Sequence, residues 1–228
     1  MIGIIGAMDI EVDILKGLLE DARTEKISNI EFVSGKLFGR HAVVAKCGIG
    51  KVFAATCTEA MILKYSPELI INTGVAGSLS GKLSTLDVAI AKAVVQHDFD
   101  TSALGDRKGQ VSGLDSVEIH ADPAIGLALE GIVKGMGLGC EYGIIASGDR
   151  FICSAEEKRA LAKGFSAVAC EMEGGAIGHV CTVNKVPFAV IRAISDSADG
   201  NSTMDYSTFS EKAAKISAKI VENFIMSL

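Results

Sequence analysis

Ser166-Ala167-Val168-Ala169-Cys170-Glu171-Met172-Glu173-Gly174-Gly175 reads as a short apolar strand that runs into two carboxylates and stops at a pair of glycines. Further along, Pro187-Phe188-Ala189-Val190-Ile191 repeats the pattern and runs through Arg192 and Ser195 into Asp196. In an open α/β sheet, ligands sit in the crevice beyond the carboxyl ends of the strands. Any one of these acids is accounted for as a solvated turn residue. Acids at two neighbouring strand ends, with an arginine beside one and a third acid, Glu11, near the first strand, are what a polar small-molecule site requires.

Outward from these two strands the chain alternates. A buried strand is expected at 2–5, then a helix at 11–20 carrying Val12, Leu15, Leu18 and Leu19 as its apolar stripe. Strands at 30–38 and 42–47 flank a Phe38-Gly39-Arg40-His41 turn, a hairpin pattern. A helix over 52–65 is stopped by Pro67, and 69–72 and 88–95 are strand-like. Helices at 123–134, 155–162 and 176–183 alternate with strands at 142–146, 167–170 and 188–194. Phe209, Ala213, Ile216, Ile220 and Phe224 then mark a final amphipathic helix. Strands alternating with helices predict a single α/β domain over 1–228, with a mainly parallel, twisted central β-sheet flanked by helices. The exception is 97–116, which is polar, Gly-rich and without period; loops of that length are usually functional or interfacial.

The composition excludes several classes of function. A formal net charge of −6 and the lack of a Lys/Arg cluster argue against nucleic acid as a partner. With no Trp, a stacking platform for single strands is equally disfavoured. The six cysteines form no C-x-x-C pair and sit mostly in apolar stretches, as buried residues of a reducing compartment do. Cys/His spacing does not suit zinc, so no metal is expected. The apolar start, Met1-Ile2-Gly3-Ile4-Ile5-Gly6, is short and has no basic n-region, and no apolar run has the length of a membrane span. The expectation is a cytoplasmic protein with no membrane partner.

Three more segments bear on chemistry. Gly3-Ile4-Ile5-Gly6-Ala7-Met8-Asp9-Ile10-Glu11 is a glycine turn between strand and helix, a common seat for ligands because free N–H groups point outward there. It lacks the G-x-G-x-x-G of a dinucleotide site, and the first basic residue is Lys16, so phosphate has no cation to meet it. Glu11 instead places an acid in the first helical turn, where dipole stabilisation is its plainer role. Asn72-Thr73-Gly74-Val75-Ala76-Gly77-Ser78 is a strand end opening into small residues, where backbone at Ala76 and Gly77 can approach a flat ligand. Ser147-Gly148-Asp149-Arg150-Phe151-Ile152 is another strand end, with Phe151 able either to stack on a base or to join the core. No G-x-S-x-G or Cys–His nucleophile is present. Carboxylates without a nucleophile lead to acid/base cleavage of a glycosidic bond through an oxocarbenium-like centre.

In this order, Gly-Ala-Met-x-x-Glu at 6–11, Gly48-Ile49-Gly50-Lys51-Val52, Asn-Thr-Gly-x-Ala-Gly at 72–77, Ser-Gly-Asp-x-Phe-Ile at 147–152, Glu-Met-Glu at 171–173 and Arg-Ala-Ile-Ser-Asp at 192–196 resemble the 5′-methylthioadenosine/S-adenosylhomocysteine nucleosidases of the purine nucleoside phosphorylase superfamily. The resemblance spans nearly the whole chain and implies a nucleoside phosphorylase-like fold. It implies that Glu11 polarises the attacking water, that Asp196 with Ser195 protonates adenine N7, and that Glu173 binds the ribose hydroxyls with Met172 against the sugar. Phe151 would stack on adenine while the Ile152 backbone reads its edge. Arg192 would lie near the acids and Tyr206 near the 5′ substituent. The substrate would be an adenine nucleoside, the products adenine and a 5-thioribose, the assembly a homodimer, and no cofactor is implied. Two departures stand out: Val75, where the family often has a small hydroxyl residue, and the 97–116 segment, which matches poorly after His97-Asp98. A phosphorylase, a futalosine-type hydrolase and a non-catalytic nucleoside sensor are the rival readings. Glu11 beside the first glycine turn repels phosphate, and six arginines in all leave little to bind it, which favours hydrolysis.

Overall fold

The structure, a computed structural model, describes residues 1–196 and 202–228, with the main chain alone for 202–205 and 207. Its elements in chain order are β1 (Ile2–Gly6), α1 (Asp9–Gly17), β2 (Glu20–Ile27), β3 (Ile30–Leu37), β4 (Arg40–Lys46), α2 (Lys51–Tyr65), β5 (Leu69–Ser78) and β6 (Val88–Gln96). They continue with β7 (Ile119–His120), α3 (Pro123–Gly135), β8 (Cys140–Ser147), α4 (Ala155–Phe165), β9 (Ala167–Glu171), α5 (Gly174–Asn184), β10 (Phe188–Asp196) and α6 (Ser202–Ser227). No helix among the described residues is long and apolar enough to cross a membrane.

The apolar strand runs follow from burial on both faces. Along β1, Ile5 faces one helical layer and Ile4 the other; Ile70 and Ile71 on β5, and Val190 and Ile191 on β10, divide in the same way. A strand alternates its side chains across the sheet, so two-sided burial requires apolar residues at every position. One layer includes α2 and α5, packed through Cys57, Met61, Ile177 and Cys181. The other includes α1, α3 and α6, through Val12, Leu15, Leu129, Val133, Ile220 and Phe224.

The expected mainly parallel sheet needs correction. The sheet is mixed: β1 pairs β4 and β5 in parallel, as do β5 with β10, β6 with β8 and β8 with β9. The pairings β2–β3, β3–β4, β5–β9, β6–β7 and β6–β10 are antiparallel. It is also partly closed, because β10 bonds both β6 and β5, completing a ring β10-β6-β8-β9-β5 from which β1, β4, β3 and β2 extend.

Two boundaries differ from the sequence reading. The first helix ends at Gly17, and residues 20–27 form edge strand β2, antiparallel to β3. Its side chains are almost all exposed, so no apolar alternation marks it, and its charges suit an unpaired edge. The segment 72–78 does not open into a loop but stays in β5, where Gly74, Val75 and Ala76 pair with Arg192, Ala193 and Ile194. The 97–116 stretch is irregular apart from one 3-10 turn at Ser102–Leu104.

Candidate active site

The ends of β1, β9 and β10 and the C-terminal half of β5 surround a cavity of about 110 Å³. Glu11, Glu173 and Asp196 line it, with Met172, Ser195, Ala76 and Gly77 between them. Phe151 and Tyr206 stand at its wall edge-to-face, ring centroids 5.6 Å apart and planes at 77°. Half-exposed Phe151 leaves an aromatic face available, and the Tyr206 hydroxyl reaches Met8 Sδ at 3.3 Å.

Glu11 is placed by the start of α1. At the third helical position it reaches back to accept from the N–H groups of Met8 at 3.0 Å and Ala7 at 2.7 Å, the carboxylate half of a capping box. Its other oxygen accepts from Val75 N–H at 3.1 Å, so β5 fixes it from across the cavity. Burial raises its pKa above the ordinary value, against the opposing pull of Arg192 and these three donors.

The Glu171-Met172-Glu173 segment divides its two acids. Glu171 turns inward and accepts from Ser147 Oγ, Arg192 Nη2, Glu173 N at 3.0 Å and Gly174 N at 2.7 Å. Burial opposes ionisation there, but Arg192, Ser147 and Gly174 together outweigh it and hold the carboxyl below its usual range. Arg192 is itself fully enclosed, bonding Asn72 and the Ile191 carbonyl. Glu173 behaves oppositely. Burial, then the Glu171 charge, push it up to about 8, with Arg192 too far, at 4.0 Å, to offset both. Gly50 N–H donates to its Oε1 at 2.8 Å. Gly50 holds that pose at φ 99°, and a β-carbon there would stand 2.9 Å from Asp149 Oδ1, so glycine fits on both counts.

Asp196 ends β10 and is 2% exposed. Ser195 Oγ donates to its Oδ1 at 3.0 Å, and the Lys158 ammonium of α4 donates to its Oδ2 at 2.7 Å. The wall thus offers one hydrogen-bonded carboxyl, one carboxyl that burial keeps protonated near neutral pH, and one ion-paired acid. That is a division of roles suited to holding water, hydroxyls and a leaving group respectively.

Two residues expected in the site are not on the wall of this cavity. Arg192 lies behind the acids, bonded to Glu171. Ile152 is buried with Leu79, Val95 and Ala146 and borders an adjoining recess of about 30 Å³ that also includes Gly77, Phe151 and Asp196. Arg150, beside Phe151, pairs with Glu157 at 2.6 Å on the surface. Sequence reading missed Lys158, whose position in a charged helical stretch carried no signal, and the inward role of Glu171. Among the described residues, no group of three or more His, Cys, Asp or Glu side chains is arranged to hold a metal ion.

The chain matches the model of the phosphorylase superfamily over residues 1–226. It is 41% identical to a 5′-methylthioadenosine/S-adenosylhomocysteine nucleosidase of Staphylococcus haemolyticus, over 99% of both chains. The Neisseria meningitidis enzyme of that name, solved in complex with methylthio-immucillin-A, superposes with a TM-score of 0.95 at 36% identity, covering 100% of this chain and 99% of the other. A futalosine hydrolase of Helicobacter pylori superposes with a TM-score of 0.94 at 34% identity, covering 100% and 97%. The chain therefore belongs to the phosphorylase superfamily and, within it, to the 5′-methylthioadenosine/S-adenosylhomocysteine nucleosidase family.

Proposed function

We propose that this protein is an N-glycosyl hydrolase that cleaves 5′-methylthioadenosine, S-adenosylhomocysteine or both into adenine and a 5-thioribose. The observation that carries hydrolysis over phosphorolysis is the Glu11 carboxylate on the Ala7 and Met8 amides. The N–H groups that would receive phosphate at the head of α1 are already taken by a side-chain carboxyl oxygen. Arg192, a buried cation whose charge acts on Glu11, is committed to Glu171.

In this reading Glu11 holds and polarises the attacking water, and Glu173 binds the ribose hydroxyls beside Met172. Asp196, steadied by Ser195, passes a proton to adenine N7 as the bond from C1′ to N9 breaks. Phe151 stacks on the purine, the recess beside Ile152 takes its edge, and Tyr206 faces the 5′ group. No cofactor enters this scheme. A homodimer is supported by Ile49, Val52 and Phe53, exposed by 54%, 77% and 58% at and beside the cavity mouth, where a second copy would cover them. Six free thiols fit a cytoplasmic setting, and the products fit methionine salvage.

The test is adenine release from methylthioadenosine with and without phosphate. Release without phosphate, with a reducing sugar as co-product, is expected. Release that requires phosphate would overturn the assignment to Glu11. Silence in both buffers, with release from futalosine, would move the substrate to the second class of neighbour.

A further inference from the structure

α4 lies on the surface, and of its eleven residues Lys158 is the one that is fully buried, 1% exposed. An amphipathic helix ordinarily places an aliphatic side chain at such a position. A buried ammonium instead carries a desolvation cost that a partner has to offset. That partner is Asp196 Oδ2 at 2.7 Å, itself 2% exposed. Structural pairing alone explains little, because a well-packed apolar pair would serve stability as well or better.

Under the hydrolase reading, on which this inference rests, Asp196 has to give a proton to the purine in every turnover. Asp196 lines the cavity, so once substrate fills it the carboxylate is shut off from bulk water, and the described side chains around it are what can hand it a proton. Ser195 Oγ, at 3.0 Å, has no proton to lose on balance. Cys170 of β9 and Tyr206 of α6 also face this carboxylate. Burial, and then Asp196 itself, push the Cys170 thiol up to about 12; Tyr206 is raised by burial, with Glu11, Glu173 and Asp196 adding to it. Both therefore hold their protons tightly.

We propose that Lys158 supplies the proton that Asp196 delivers to the leaving base. The Lys158 Nζ–H bond breaks as an Asp196 Oδ2–H bond forms; that O–H bond then breaks as N7–H forms, and the electron pair of the C1′–N9 bond passes into the purine. The attacking water gives its hydroxyl to C1′ and its proton to Glu11. After the products leave, Glu11 returns that proton to solvent and Lys158 regains one. The first transfer is favoured when substrate expels water, because it turns two buried charges into a neutral amine and a neutral acid. Lysine suits this role because an ammonium can give up a proton, whereas a guanidinium keeps its own.

The experiment compares the full-length wild-type protein with Lys158→Met and Lys158→Arg on two substrates. One is methylthioadenosine; the other is the 4-nitrophenyl glycoside of 5-methylthioribose, whose leaving group departs without a proton. Both variants are expected to lose about 10²-fold or more in kcat on the nucleoside while staying within about 3-fold of wild type on the aryl glycoside. Wild-type kcat for Lys158→Arg on the nucleoside would overturn the proposal, since charge alone would then suffice. Equal losses on both substrates would overturn it too, marking a structural role. If the wild-type protein rejects the aryl glycoside, kcat of a Lys158→Arg variant that still binds adenine decides alone. A wild-type protein inactive on the nucleoside defeats the hydrolase reading instead.

Discussion

Glu11 and Gly74 are fitted to each other across the cavity: a β-carbon on Gly74 would stand 2.5 Å from Glu11 Oε1, the oxygen that Val75 N–H binds at 3.1 Å. Gly74 does not have a positive φ, so the requirement there is space. Gly74→Ala should push the carboxylate off its three donors while β5 stays paired. We expect kcat/KM to fall about 10²-fold, the scale of a small misplacement of a reacting group. Adenine release assays of the purified variant check this, and unchanged turnover would separate Glu11 from the water-activating role.

Asp196→Asn keeps a side chain that Ser195 can still bond and removes the carried proton. The variant should lose roughly 10²–10⁴-fold in kcat on methylthioadenosine. Equilibrium binding of the nucleoside, measured on the same preparation, should persist. A fully active Asp196→Asn enzyme would remove Asp196 as the acid and, with it, the purpose assigned to Lys158.

How far the sequence revealed this molecule depends on what each stretch is buried against. The runs Ile2–Gly6 and Phe188–Asp196 were legible because two helical layers demand apolar residues on both faces. Glu20–Ile27 was not, since this exposed edge strand bears charge on five of its eight residues and has no period to read. Ring closure was equally hidden. It depends on β10 pairing with both β5 and β6, and the small residues of 72–77, read as the open end of a strand, serve that close pairing.

In the site, Glu11, Glu173 and Asp196 could be named because each follows an apolar strand or a glycine turn. The split between Glu171 and Glu173 could not, because two acids one residue apart look alike until Arg192 is seen to reach only the first at bonding distance. Lys158 sits among Glu156, Glu157 and Arg159, so its burial is invisible without the fold.

Glu171 and Arg192 form a fully enclosed pair that also ties β10 to β5 through Asn72. Glu171→Gln would leave the guanidinium buried without its counter-ion. Breaking such a pair from one side costs about 3–5 kcal/mol. Urea unfolding should show a loss of that size with an unchanged slope. A loss near zero would mean that water or a neighbouring acid takes over the role of Glu171.

Glu173 makes stability depend on pH with a definite sign. Its carboxyl is raised, by burial first and Glu171 second, to about 8 in the folded protein, from an ordinary value of 4.5. Between those values the native state keeps a proton that the unfolded chain has released, so stability falls as pH rises through the window. Glu173→Gln is neutral at every pH and should flatten the decline in Tm from about pH 5 to 8, gaining most over wild type at the alkaline end. Glu11, also raised by burial, acts in the same direction and remains in the variant, so the slope should shrink without vanishing. Thermal unfolding of both proteins across that range is the measurement. Parallel curves would mean that Glu173 is ionised in the folded state and that the Gly50 amide and Arg192 outweigh burial.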